Sequence, residues 1–147
     1  MKELFHFNAK DYPYVEWSEL VPKSCSRLLM PGAALASVQA GFGDMLFQGK
    51  PRPLFSAWMS DYDIRHSFTG FSSLNYRSLE FTALLKNDIY YQQQPFAGRD
   101  HRQYEINLTH TMYMDSKVRL QQGIHYSTFD IHYELEAFEI LMNIIPE

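Results

Sequence analysis

A mainly β domain, an antiparallel sandwich or barrel closed by a single C-terminal helix, is the fold that this sequence predicts. Three observations lead there. Short stretches of alternating polarity recur along the chain, separated by Gly, Pro, Asn and Asp. Aromatic residues make up 16% of the chain, and aromatics favour strands. The last third changes period in its middle. From Ile124 to Tyr133 the pattern alternates, with Phe129, Ile131 and Tyr133 on one face and Thr128, Asp130 and His132 on the other. From Leu135 the apolar residues fall at Leu135, Phe138, Leu141, Met142 and Ile145, which is helical spacing, and Pro146 stops the helix, predicted over 135–145.

The elements follow in order. Residues 1–35 show no lasting period; Pro13, Pro22, Pro31 and Gly32 punctuate them. Phe5, Phe7, Tyr12, Tyr14 and Trp17 suit an apolar arm laid along the body of the domain. A first strand is expected from Leu35 to Gln48, with a bulge or close backbone approach at Gly41-Phe-Gly43. Gly49 to Pro53 is a turn. Leu54 to Phe68 reads as a second strand, with Trp58, Tyr62 and Ile64 on one parity and Phe55, Ala57, Met59, Asp61 and Asp63 on the other; Thr69 to Ser73 breaks it. Leu79 begins a strand that either continues through Asn87-Asp88 to Gln92 or forms a hairpin there. Gln93 to Arg102 is a loop. Gln103 to Met114 alternates again, with Tyr104, Ile106 and Leu108 against Glu105, Asn107 and Thr109. Asp115-Ser116 turns into Val118-Arg-Leu120, and Gly123 turns between two strands before the closing unit. Seven or eight short strands and one helix point to a sandwich or barrel of the jelly-roll or cupin kind.

At 147 residues the chain is one domain, with a core of ordinary size. No apolar run approaches the roughly 20 residues that span a bilayer, and Met-Lys-Glu-Leu-Phe-His is no signal-peptide core, so a cytoplasmic protein without membrane contact is expected. Cys25 is alone and cannot form an internal disulfide. The net charge is −4, whereas nucleic-acid binders carry a basic face. The best local candidate for phosphate, Gly98-Arg-Asp-His-Arg102, reads as a solvated loop. Asn107-Leu-Thr109 matches a glycosylation sequon by chance.

Leu79-Glu-Phe-Thr-Ala-Leu-Leu-Lys-Asn87, Gln103-Tyr-Glu-Ile-Asn-Leu108 and Tyr126-Ser-Thr-Phe-Asp-Ile-His-Tyr133, with the helix up to Pro146, resemble the sensor half of AraC-type transcriptional regulators, in particular those of the Bacteroidetes. Phe55-Ser-Ala-Trp-Met-Ser-Asp-Tyr-Asp-Ile64 is similar in the same way, so the likeness runs over about residues 36–147. It implies a cupin-like barrel that binds a small-molecule effector such as a sugar, forms a homodimer and controls an attached DNA-binding domain, with no cofactor. Those regulators continue into two helix-turn-helix motifs, which this chain lacks. An isolated sensor domain of a longer protein is the favoured reading, with DNA reached only through that further domain.

The residues offer three chemistries. Metal-dependent cupins use a His-x-His pair with a later Glu and His; the six histidines here, His6, His66, His101, His110, His125 and His132, include no such pair. A metal assembled from His66, His110 and His132 is therefore disfavoured. His125 and His132 differ in parity and should face opposite ways. Asp130 and His132 share a face; an acid–base pair is weighed against a polar pair that bonds nearby backbone and fixes the strand-to-helix corner, and the second is preferred. Cys25 as a nucleophile lacks a nearby histidine in sequence. Trp58, Tyr62, Phe81, Tyr90 and Tyr104 are expected in or near the barrel interior, with Gln39, Gln48, Glu80 and Asn107 as polar partners for a ligand. Ile140 and Ile144 stand outside the helix's apolar stripe and are expected to meet a second copy or a continuation of the chain. Two functions result: a non-enzymatic effector-sensing and dimerising domain, or a free-standing cupin-like isomerase or dioxygenase acting on a small polar substrate.

Overall fold

The computed structural model describes residues 6–9, 11, 12, 15–74, 78–111 and 114–144. Two antiparallel sheets face one another. The first has five strands, in the order β1 (His6–Ala9), β6 (Phe68–Leu74), β11 (Met114–Leu120), β8 (Ile89–Gln93) and β9 (Arg99–His101). The second has seven, in the order β10 (Ile106–Thr111), β7 (Ser78–Lys86), β12 (His125–Glu134), β5 (Phe55–Ile64), β4 (Gly43–Pro51), β3 (Ala34–Ala40) and β2 (Trp17–Ser18). Helix α1 (Leu135–Ile144) packs on β12 and β7.

The interior between the sheets is apolar around Val38, Phe42, Ile64, Phe68, Leu120 and Tyr126. Phe42 and Phe68 lie 4.1 Å apart by ring centroid, and Tyr12 meets Phe42 edge-on at 5.0 Å. Burying side chains of this size contributes about 1.5–3 kcal/mol each, and this is what holds the sheets together.

Several connections differ from the sequence reading, and the turns at Asn87 and Gly123 cross between sheets. The predicted Leu35–Gln48 strand is two strands, β3 and β4, joined by a turn at Gly41-Phe42. Gly43 has φ +146°, and a Cβ there would sit 2.2 Å from the Asp63 carbonyl oxygen, so only glycine fits. The Thr69–Ser73 stretch lies inside β6, and Asp115-Ser116 lies inside β11. Asn87-Asp88 is neither a strand interior nor a hairpin. Asn87, at φ 62°, turns the chain from β7 in one sheet to β8 in the other. Gly123, at φ 76°, turns between two strands as expected, and the strands it joins, β11 and β12, lie in different sheets.

The N-terminal stretch is tied down in its second half. Residues 20–31 cross the outer face of the seven-stranded sheet. Ser37 Oγ donates to the Leu20 carbonyl at 2.6 Å and Lys50 Nζ to that of Pro31 at 2.8 Å. The fully buried Gln48 amide accepts from Met30 N at 2.7 Å and donates to Leu28 O at 2.9 Å. Beneath this strap, Ser24 donates to Asp44 at 2.6 Å and His125 Nε2 meets Asp61 at 2.6 Å. Gln48 is therefore a fastening for the strap, not a ligand group. Phe7, Tyr12 and Trp17 pack against the core as an apolar arm would; Phe5 and Tyr14 lie outside the described residues.

Candidate functional site

Strand β12 carries the site. Its register places Asp130 opposite Thr82 and His132 opposite Glu80 on β7, and Asp130 opposite Trp58 on β5. Because side chains alternate, Thr128, Asp130 and His132 leave the strand on one side together with Glu80, Thr82, Trp58, Ser60 and Tyr62. That side faces the space between the sheets. All of these residues line a cavity of about 170 Å³, many times the ~10–15 Å³ that one water needs. The five-stranded sheet adds Ser72, Tyr91, Ser116 and Val118, and β10 adds Asn107 and Thr109. Met45, Phe47, Leu84 and Ile89 belong both to the apolar core and to the cavity wall.

One corner of this cavity is acidic. Glu80 and Asp130 stand on neighbouring strands, with Thr82 offering its hydroxyl to both. Thr128 Oγ1 donates to Asp130 at 2.9 Å. Burial pushes the Glu80 carboxyl up to about 7. Burial, then the charge of Glu80, does the same to Asp130, also to about 7. His132 is 9% exposed; burial lowers its pKa, which favours the neutral ring. Its Nε2 lies 3.6 Å from Glu80, and its buried Nδ1 has no hydrogen-bond partner. Asn107 accepts from Arg99 through Oδ1, while its buried Nδ2 also has none. Buried polar atoms are nearly always paired, so two orphans on one cavity wall mark where a ligand or water must bond. Burial raises the Tyr62 and Tyr91 hydroxyls above their usual value, keeping both neutral.

Trp58 and His132 separate this cavity from a wider groove of about 790 Å³ beside the start of α1, and they line both spaces. Their rings meet edge-on at 6.3 Å. The groove wall includes Arg52, Phe55, Glu134 and Glu136.

Of the aromatic residues predicted for the interior, Trp58 and Tyr62 line the cavity and three do not. Phe81 has the opposite parity to Glu80 and Thr82, so it faces the outside of β7. Tyr90 stacks under the Arg119 guanidinium at 4.1 Å, leaving its neighbour Tyr91 in the cavity. Tyr104 is 78% exposed on a turn at φ 65°. Among the polar candidates, Glu80 and Asn107 line the cavity, Gln48 holds the strap and Gln39 is exposed. The preference for Asp130 and His132 as a backbone-bonding corner is overturned, since both point into the cavity. His125 and His132 do face opposite ways, His125 beneath the strap and His132 inside. His66 and His110 are exposed and do not approach His132. Among the described residues, no group of three or more His, Cys, Asp or Glu side chains is placed to hold a metal ion. Cys25, within the strap, is buried against β4 and β5, and burial pushes its thiol up to about 11, away from nucleophilic use. Ile140 is half exposed at 51%, and the side chain of Ile144 lies outside the described residues.

No family model matches the chain, and no curated protein matches it significantly. Solved structures do. The cupin domain of Cnp3 from Schizosaccharomyces pombe aligns over 82% of this chain and 82% of its own, with 10% identity and a TM-score of 0.53. A protein of Ralstonia eutropha, named as a candidate mannose-6-phosphate isomerase, aligns over 65% of this chain and 90% of its own, with 12% identity and a TM-score of 0.51. The AraC-like transcriptional activator CuxR aligns over 64% of this chain and 34% of its own, with 6% identity and a TM-score of 0.48. The chain has the cupin fold. In this cupin barrel the interior is polar at one corner and aromatic around it, which is the composition of a small-molecule site.

Proposed function

We propose that this cupin domain binds a small polar molecule inside its barrel and serves as the effector-sensing and dimerising part of an AraC-type regulator. The observation that carries the binding reading is the cavity itself, where the unpaired His132 Nδ1 and Asn107 Nδ2 share a wall system with Trp58, Tyr62 and Tyr91. The sensor reading adds the resemblance of Leu79–Asn87, Gln103–Leu108 and Tyr126–Tyr133 to sensor domains of those regulators. Dimerisation would use the outer face, where Ile140 on α1 and Ile106 and Leu108 on β10 are exposed.

One observation favours a second reading, a cupin-like isomerase. Two carboxyls near 7 beside a neutral imidazole can hold and release a proton at neutral pH. The cavity lining has no Lys or Arg among the described residues, which argues against a phosphorylated substrate.

A thermal-shift screen of small polar metabolites, followed by mass spectrometry of the recovered hit, separates the two. A stabilising compound recovered unchanged after long incubation is the expected result. A compound recovered as its isomer overturns the non-enzymatic reading, and no stabilising compound at all counts against the cavity as a site.

A further inference from the structure

Building on the reading of the cavity as a ligand site, we infer that its ligand is a small hydroxylated amine, whose ammonium sits between Glu80, Asp130 and the free Nδ1 of His132.

The charge inventory of the interior leads there. Two carboxyls face the cavity, and none of the described residues lining it is a lysine or arginine. One such group, Arg99, approaches the lining. It lies outside the lining, exposed, with its guanidinium on Glu105 at 3.2 Å and on the Asn107 carbonyl oxygen. The remaining titratable groups around the cavity are Tyr62 on β5, Tyr91 on β8, His101 on β9 and His132 on β12. Burial keeps the tyrosines neutral, and burial with the neighbouring Arg99 favours a neutral His101. No lysine or arginine among the described lining residues balances the two carboxyls, and burial, with their mutual repulsion at Asp130, holds their protons well above the usual carboxylate range. A ligand that brings its own positive charge takes the place of those protons.

The geometry fits an ammonium in particular. An ammonium offers three N–H donors on one small centre. The His132 nitrogen beside Glu80 is Nε2, so a ring protonated there leaves Nδ1 as an acceptor lone pair. Together with one oxygen each from Glu80 and Asp130, that makes three acceptors for three donors. His132 is more than nine-tenths buried and unpartnered at Nδ1, an observation independent of the carboxylates. Trp58, Tyr62 and Tyr91 add ring faces, which attract cations. Asn107, across β7 at the Thr82 position, turns its unpaired N–H toward an acceptor such as a hydroxyl on the same molecule. Neutral polyols would find the hydroxyl partners but would leave the carboxyls uncompensated.

Two matched series test this by calorimetry at neutral pH: glucosamine, glucose and glucuronate, and ethanolamine, ethylene glycol and glycolate. The expected result is that the amine of at least one series binds at least tenfold more tightly than its neutral partner, with the acid weakest. For the ethanolamine series the affinity should rise severalfold from about pH 6 to about pH 8, because binding requires the carboxyls to give up protons. Glu80→Gln and Asp130→Asn should each abolish the preference for the amine, with folding checked by circular dichroism. If a neutral member binds as well as its amine, or better, the amine inference falls while the cavity remains a site for a small polar ligand. If Mn²⁺ or Zn²⁺ alone binds with the same dependence on Glu80 and Asp130, the corner is a metal site and the inference also falls. If no member of either series binds, the amine inference is wrong, and the thermal-shift screen alone then decides whether the cavity is a site.

Discussion

Replacing Glu80 by Gln should stabilise this protein by about 1 kcal/mol at pH 5 and by about 3 kcal/mol at pH 8. The side chain keeps its shape and its contact with Thr82 but loses the ability to ionise. In the folded chain Glu80 holds its proton up to about 7 instead of 4.5. The unfolded carboxyl is already ionised above its ordinary value, so between these limits the folded state binds more protons than the unfolded one. Stability from this group is therefore greatest below about pH 4.5, falls as pH rises toward 7 and is flat above. The full difference corresponds to roughly 3 kcal/mol, at ~1.4 kcal/mol per tenfold change in proton concentration. About 1 kcal/mol of it is already spent at pH 5, so the advantage of Glu80→Gln over the parent should grow by about 2 kcal/mol between pH 5 and pH 8. Urea unfolding followed by the fluorescence of Trp17 and Trp58 would show this as a midpoint shift of about 1 M. Asp130 responds in the same direction, from 3.8 to about 7, partly because of the Glu80 charge, so the double variant Glu80→Gln, Asp130→Asn should gain less than the sum of the two singles. An advantage that stays constant from pH 5 to pH 8 would refute the claim that this corner is strained by ionisation.

The other outcomes test separate parts of the molecule. His132→Phe should leave unliganded stability equal or raise it by about 1 kcal/mol, since it removes a buried unpaired nitrogen, yet abolish ligand binding measured by calorimetry. Gly43→Ala should cost at least about 2 kcal/mol in urea unfolding, because its Cβ would collide with the Asp63 carbonyl at a positive φ. Gln48→Leu frees two backbone partners of the strap and should cost about 2 kcal/mol, with faster proteolysis between residues 20 and 31. Ile140→Lys should convert a dimeric parent to monomer by sedimentation, and an unchanged mass would place the interface elsewhere, for instance on Ile106 and Leu108 of β10.

The strand period was legible in the chain, and with it the fold class. An alternating stretch states which residues share a face, because side chains two apart must leave a strand on the same side. So the grouping of Thr128, Asp130 and His132, and the opposition of His125 to His132, needed nothing beyond the sequence. Glu80 and Asn107 were also legible as polar groups that share a face with Thr82 and Thr109 within clear alternations.

Which of the two faces looks inward was not legible. Polarity suggests that Phe129, Ile131 and Tyr133 should be inside and Asp130 and His132 in water. The structure reverses this: Thr128, Asp130 and His132 line the cavity between the two sheets. The closing of the five-stranded sheet over this face decides the orientation of a pattern that period alone leaves two-fold ambiguous. Short strands and turns hid the rest. Tyr90 and Tyr91 are neighbours on a five-residue strand, and only the pairing of β8 with β11 determines that Tyr91 faces the cavity. Tyr104 continues the alternation of Ile106 and Leu108 on paper, but its backbone turns at φ 65° before that strand begins. Most of all, Glu80 and Asp130 lie fifty residues apart, and their shared burial follows from the register of two strands brought together by the whole barrel. The sequence by itself determined the strands and the parity of their side chains. The closing of the sheets around an acidic corner was decided by tertiary structure, since burial and the mutual repulsion of two carboxyls exist only once distant strands are neighbours.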